Sequence, residues 1–271
     1  MLVDSTDNSE KPAHLPQIRR HELIVEMIRQ QGFISTDELV RYFQVTPQTI
    51  RRDLNELDRL QLISRHHGGA GSPVSSSTEN TAYPERKVQK SHEKDLIALE
   101  MASHIPDGAS LFINIGTSTE AVARALLNHS NLKVITNNIH VASILLQRDD
   151  FTVIIAGGEV RNRDGGIVGE ATRDFINQFR VDYALIGISG IDMDGSLLDF
   201  DYHEVRVAQA MIHNARQCYL AADHSKFGRG AMVRMGNVED IDALFTDTLP
   251  PEPLNDVLQT HQVELVVCHG S

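Results

Sequence analysis

The sequence predicts an α/β protein in two parts: an N-terminal winged helix-turn-helix over residues 17–70, and a larger domain over residues 91–271 built on a mainly parallel sheet. Three observations carry this reading. The stretch STDELVRYFQVTPQTIRRDLNEL, Ser35 to Leu57, contains two helix starts, each with its own cap. From about residue 110 onward, short apolar runs alternate with helical segments, the pattern of buried parallel strands joined by crossover helices. Between the two patterns, Gly71 to Asn80 turns to Gly, Ser and Pro, so residues 71–90 read as a linker and residues 1–16, polar with two prolines, as a disordered tail.

The head can be justified helix by helix. Ile18, Leu23, Ile24, Met27 and Ile28 give Gln17 to Gln31 one apolar face, and Gly32 reads as its C-cap. Ser35 followed three residues later by Glu38 is a capping box, which starts a second helix. Thr46-Pro47 starts a third, with threonine as N-cap and proline at the first helical position, where a missing N–H costs nothing. At about 100° per residue, Ile50, Leu54 and Leu57 share one narrow arc of that third helix. Gln48, Arg51, Arg52 and Asn55 fall on the opposite side, and these residue types read base edges in a major groove. Leu60 to Ser64 reads as a strand, Arg65-His66-His67-Gly68-Gly69 as a basic turn and Ala70 onward as the return, a wing able to lie on phosphate. Taken with Ser35, Thr46 and Thr49 at the helix starts and Arg65 and His66 in the wing, the set predicts binding to double-stranded DNA.

The charge balance refines that expectation. The chain of 271 residues carries a formal charge of −12, yet residues 1–70 hold nine Lys/Arg against ten Asp/Glu and account for only −1 of it. The body therefore repels nucleic acid and leaves the head as the contact surface, and with so few phosphate contacts per head, paired heads in a homo-oligomer are expected. Cys218 and Cys268 sit in apolar runs far apart in sequence, which predicts buried free thiols. No signal peptide and no apolar run near the ~20 residues of a membrane span is visible, so a cytoplasmic protein without membrane contact is expected.

In the second domain the expected strands are Ser110–Asn114, Leu132–Thr136, Phe151–Ala156, Asp182–Gly187, Gln217–Ala222, Ile241–Thr246 and Val263–Cys268. Ligands of open α/β sheets bind beyond the carboxyl ends of the strands. The first strand is followed by Ile115-Gly116-Thr117-Ser118-Thr119, which opens a helix and aims backbone N–H groups at an anion. Asn137-Asn138 follows the second, Gly157-Gly158 and Arg161 the third, Gly190 and Asp192 the fourth, and Asp223 and Lys226 the fifth. Gly and Ser/Thr are ordinary turn residues, and each loop alone reads as structural. Their recurrence along one sheet edge predicts a pocket for a small phosphorylated polyol or sugar, with Lys226 as a cation for phosphate or for the Glu204 and Asp223 carboxylates. No Walker loop, dinucleotide fingerprint or metal-ligand spacing occurs, so neither metal nor cofactor is expected.

TPQTIRRDLNEL followed by HHGGA resembles the N-terminal signature of the DeoR family of bacterial transcription repressors, and the similarity runs from about Gln17 to Cys268. The runs FISTDELV, GEVRNRDGGIVGEAT, ISGIDMDGSLLDFDYHEVR and DHSKFGR extend it through the body. The resemblance implies a non-enzymatic repressor of glycerol and glycerol-3-phosphate metabolism genes, with a body resembling sugar-phosphate isomerases, glycerol 3-phosphate as inducer and assembly as a tetramer. One departure stands out: the family has Asp-x-Gly-Thr-Thr after the first strand, and this chain has Asn114-Ile115-Gly116-Thr117-Ser118. A family member answering to another sugar phosphate remains an alternative, as does a sugar-phosphate isomerase with an accessory head. The isomerase reading needs a carboxylate base among Asp192, Asp199, Glu204 and Asp223.

Overall fold

A computed structural model describes residues 15–31, 33–66, 68–71 and 80–268. The expected tail up to residue 14, the Gly32 cap, linker residues 72–79 and the side chains of His66 and His67 lie outside the described residues. The chain divides into two compact units, residues 1–73 and 74–271.

In the first unit, α1 (Gln17–Gln31), β1 (Phe33–Ser35), α2 (Thr36–Phe43) and α3 (Pro47–Arg59) precede a hairpin of β2 (Ser64–His66) and β3 (Gly69–Gly71). Both predicted caps form. The Ser35 hydroxyl accepts from Glu38 N while the Glu38 carboxylate accepts from Ser35 N, and Thr46 Oγ1 accepts from Thr49 N. Gln44, in the left-handed region at φ 52°, turns the chain between α2 and α3. Ile24, Ile28, Leu39, Phe43, Ile50, Leu54 and Leu57 form the core, as the helical arcs require. The wing differs from expectation at its start. Leu60 caps α3, Gln61 takes a left-handed φ of 58°, and Leu60 and Leu62 are exposed, so the strand begins only at Ser64. β1 was not anticipated: three residues show no periodicity, and it exists because β3 pairs with it as well as with β2.

The second unit begins earlier than residue 91. Inside the expected linker, Tyr83–Val88 is a helix, α4, stabilised by proline in its first turn and by the Lys94 ammonium, which donates to the carbonyls of Arg86 and Gln89. After α5 (Ser91–Ser103) come β4 (Ser110–Ile113), α6 (Thr117–Ala125), β5 (Lys133–Thr136), α7 (Ile139–Leu145) and β6 (Thr152–Ile155). A hairpin of β7 (Glu159–Arg161) and β8 (Gly166–Val168) leads to α8 (Glu170–Ile176) and β9 (Val181–Gly187). Then follow β10 (Gly190–Ile191), β11 (Ser196–Asp199), α9 (Tyr202–His213), β12 (Ala215–Ala221), β13 (Val233–Asn237), β14 (Ala243–Thr246), α10 (Glu252–Thr260) and β15 (Glu264–Val267).

The seven strands expected from the sequence are β4, β5, β6, β9, β12, β14 and β15. They form one sheet in the order β15-β14-β12-β9-β4-β5-β6, parallel throughout. The hairpin β7-β8 and the antiparallel trio β10-β11-β13 were not foreseen, because they are strand-end loops folded into short ladders. Cys218 and Cys268 are buried free thiols.

Candidate functional site

The strand order creates a reversal point. From β4 the chain steps outward through β5 and β6, and on the other side of β4 it continues through β9, β12, β14 and β15. The crevice between β4 and β9 is therefore where an open parallel sheet offers a ligand site. Asn114, just past β4, seals its floor: Nδ2 donates to Gly187 O at 3.1 Å and Oδ1 accepts from Gly187 N at 2.9 Å. An ionised aspartate could accept but not donate, so the asparagine makes a two-way tie that the family residue cannot. Gly116, at φ 157° and without a side-chain cap, then opens α6, whose first N–H groups have no partner within the helix and face the crevice end.

A cavity of about 30 Å³ lies there, walled by Gly116, Thr117 and Ser118 after β4, Gly187 to Ser189 after β9, and the side chains of Arg86, Asp199, Glu204, Lys226 and Arg229. A second cavity of about 220 Å³ shares Arg86, Asp199 and Glu204 and is further lined by Asn80, Tyr83, Arg161 and Phe200. Three cations thus meet two carboxylates. Burial pulls the Lys226 pKa down against the upward effect of Asp223, whose carboxylate oxygen is 4.0 Å away. Burial and Asp199 push the Glu204 carboxyl up to about 8, opposed by Arg161. Asp199 is likewise raised, chiefly by burial, while it accepts from Phe200 N at 2.7 Å and Ser189 Oγ at 3.0 Å. Two close carboxylates in this setting do not readily ionise together, and the three cations outnumber them in the wall.

Of the residues singled out in the sequence, Gly116, Thr117, Ser118, Glu204 and Lys226 reach the smaller cavity. Several others are corrected to structural roles. Thr119 is fully buried and its hydroxyl donates to the carbonyls of Asn114 and Gly116. Asn137 Nδ2 donates to Ile167 O, and Asn138 Oδ1 caps α7 through His140 N and Val141 N. Gly157 O accepts from Thr172 Oγ1, and a Cβ on Gly158 would overlap that hydroxyl. The expected convergence of five strand ends thus reduces to three, because β5 and β6 lie beyond β4 and their loops hold the β7-β8 hairpin instead.

Gly190 packs against the Arg229 carbonyl, where a Cβ would overlap the oxygen, and Asp192 sits in the β10-β11 turn, donating its N–H to Ser196 O. Neither lines either of the two cavities described above. Arg161 lines the larger cavity but is occupied by Asp164, Asp201 and Glu204 at 2.6–2.9 Å. Asp223 lies behind Lys226, with Oδ1 accepting from Ser225 N. Sequence reasoning missed Arg86, which lay in the presumed linker, and Arg229, six residues beyond Asp223. It also missed a grouping of Glu93, His224 and Asp247, one donor atom each within 4.8 Å of one another, because three different elements supply it. There Asp247 accepts from both the His224 backbone N–H and ring Nδ1, which fixes the loop after β12.

On the head, Gln48, Arg51, Arg52, Asn55 and Arg65 are exposed. Arg65 on β2 donates to the Asn55 side chain, joining the wing to α3. Ser35 is corrected: it is 6% exposed and its hydroxyl serves Glu38, so it starts α2 rather than facing outward. Asp53, unremarked in the sequence, is buried on α3 and accepts from Arg20 at 2.5 and 3.0 Å and pairs with His21 at 3.1 Å, which locks α1 against α3. That tie sets the orientation of the exposed polar face.

A winged helix-turn-helix followed by an α/β body with a cation-walled cavity defines a DNA-binding regulator with a sensor domain. The chain belongs to the DeoR family: residues 20–76 match the DeoR-like helix-turn-helix domain and residues 89–248 the DeoR C terminal sensor domain. It is similar to the glycerol-3-phosphate regulon repressor of Escherichia coli (strain K12), 56% identical over 254 residues that cover 94% of this chain and 100% of the relative. The glycerol-3-phosphate regulon repressor of Haemophilus influenzae is 53% identical over 94% of this chain and 99% of its own. Among solved structures, ribose 5-phosphate isomerase A of Methanocaldococcus jannaschii is similar over 51% of this chain and 55% of its own, at 14% identity and a TM-score of 0.38, a likeness too slight to support any argument. Among the described residues no helix is long and apolar enough to cross a membrane.

Proposed function

We propose that this protein is a transcriptional repressor of glycerol and glycerol-3-phosphate metabolism genes that leaves its operator when glycerol 3-phosphate binds the body. The observation that carries the ligand half is the cation-walled cavity at the β4/β9 reversal, beside the open N-terminus of α6. A phosphate there meets backbone N–H groups and the Thr117 and Ser118 hydroxyls, with Lys226 and Arg229 supplying charge. Hydroxyl groups of the ligand then face Ser189, Asp199 and Glu204. The two relatives named above support the choice of glycerol 3-phosphate over other phosphorylated polyols.

For the DNA half, Gln48, Arg51, Arg52 and Asn55 enter the major groove, while Thr46, Thr49 and the wing residues Arg65 and His66 touch phosphate. The heads act in pairs within a homo-oligomer, a tetramer by family resemblance, in the cytoplasm. We assign no catalysis: Asp199 and Glu204 are each engaged by a donor, Ser189 Oγ and Arg161 respectively, which argues against either as a free base.

The test is thermal unfolding of the full chain with glycerol 3-phosphate, glycerol and a panel of sugar phosphates, followed by release from a duplex that the protein itself selects from a random pool. A ligand at 100 times its Kd adds about 2.7 kcal/mol, a shift of several degrees. A shift and release by another sugar phosphate alone would retain the repressor and replace its ligand. No shift with any phosphate ester would remove the sensor reading.

A further inference from the structure

The segment that enters the body, residues 80–89, is held there by several polar ties. Tyr83 Oη donates to Glu120 Oε2 at 3.0 Å, and Lys94 Nζ donates to the carbonyls of Arg86 and Gln89. A further tie is of a different kind: Arg229 Nη2 donates to Asn80 Oδ1 at 2.8 Å. Arg229 also walls the anion cavity, so the same guanidinium serves the site and the incoming chain. Its other arm, Nη1, donates to Ser189 O at 3.0 Å, and Asn80 Nδ2 reaches Ser189 Oγ at 3.4 Å.

Two physical facts put this contact under strain from a ligand. Arg229 is one wall of the small cavity, so an anion seated there lies beside the same guanidinium that holds Asn80. A neutral amide oxygen is also a weaker partner for the half-buried Arg229 guanidinium than a phosphate, whose charge-assisted bonds are about twice as strong.

We propose that Asn80 is a latch on Arg229: the amide and the effector anion compete for one guanidinium, and binding of the anion frees the segment that continues, in sequence, from the head. The proposal rests on the effector reading above and deepens it, naming the residue through which the cavity reports its occupancy. Asn80 is a positioning residue here, setting both the affinity of the site and the state of the chain at its entry. By linkage, whatever the latch contributes to operator binding it subtracts from anion binding.

The experiment is calorimetric titration of the full chain, wild type, Asn80→Ala and Asn80→Asp, with glycerol 3-phosphate and separately with inorganic phosphate, beside operator binding without ligand. Asn80→Ala removes the competitor, so anion binding should tighten roughly three- to tenfold, the worth of one such hydrogen bond, while ligand-free operator binding weakens by a similar factor. Asn80→Asp replaces the amide with an ion pair to Arg229, so anion binding should weaken while ligand-free operator binding is kept or improved. An alanine variant whose anion affinity is unchanged or weaker overturns the latch, as does an aspartate variant that loosens the operator, since a merely structural Asn80 gives the same sign for both. Wild-type protein that binds the anion yet stays on DNA would refute the effector reading while the opposite shifts in anion affinity still test the latch. Wild-type protein that binds neither anion refutes both.

Discussion

Arg52 and Lys226 differ in the one property that decides what a cation can do: Arg52 is exposed on α3, and Lys226 is half-buried beside Asp223. Their removal should separate the two functions. Arg52→Ala should cost about 1–3 kcal/mol at the selected operator and relax preference at one base position, measured by binding to single-base variants of that duplex; equal loss on every sequence would make Arg52 a phosphate contact. Lys226→Ala should leave operator binding intact and weaken glycerol 3-phosphate about ten- to hundredfold, the scale of a charge-assisted bond lost from a buried site. Full release at the wild-type concentration of ligand would take Lys226 out of the site. Residue by residue, the sequence was informative wherever a side chain's role follows from its neighbours in the chain, as with the Thr46 cap. It misjudged Ser35, whose polar hydroxyl is spent inside the capping box, and Asn138, whose amide caps α7.

At the scale of elements, the site depends on how loops are packed rather than on which residues they contain. β10 begins at Gly190, and its lack of a side chain lets the Arg229 carbonyl approach. Gly190→Ala should therefore push the loop carrying Lys226 and Arg229 out of place. Overpacking of this kind costs about 1–3 kcal/mol, so the melting temperature should fall by several degrees and effector affinity should fall with it. A variant with wild-type melting and wild-type affinity would show that the loop yields freely. The short ladders β7-β8 and β10-β11-β13 were invisible in the sequence for a related reason. Strands of two to five residues carry too few side chains to show alternation, and their partners come from elsewhere in the chain.

At the scale of the whole molecule, sensor and head are useful to one another only through a coupling free energy. Whatever factor glycerol 3-phosphate takes from operator affinity, operator DNA must take from glycerol 3-phosphate affinity. Titrating the ligand into the full chain with and without saturating selected duplex should give two dissociation constants whose ratio equals the ligand's effect on DNA binding. Unequal factors at equilibrium would mean that more than these two ligands is being bound. The charge distribution acts at this scale too: with −11 of the net −12 carried beyond residue 70, the body contributes repulsion rather than phosphate contacts.

The sequence by itself determined the two-part plan, the capped helix pair with its exposed Gln/Arg/Arg/Asn face, and the seven strands of the main sheet. Each of these is written in short-range pattern, a cap and its partner three residues on, an apolar arc, or an apolar run closed by a turn. Tertiary structure decided the rest. Strand order placed the reversal between β4 and β9, and that alone chose which strand-end loops wall the cavity and turned Asn137, Asn138, Gly157 and Gly158 to structural duty. It drew Arg86 from the presumed linker and Arg229 from beyond the fifth strand's loop into the same wall, and set Asn80 beside Ser189 across 109 residues of chain. Contacts between residues so far apart are chosen by the packing of the whole sheet, and no local pattern records them.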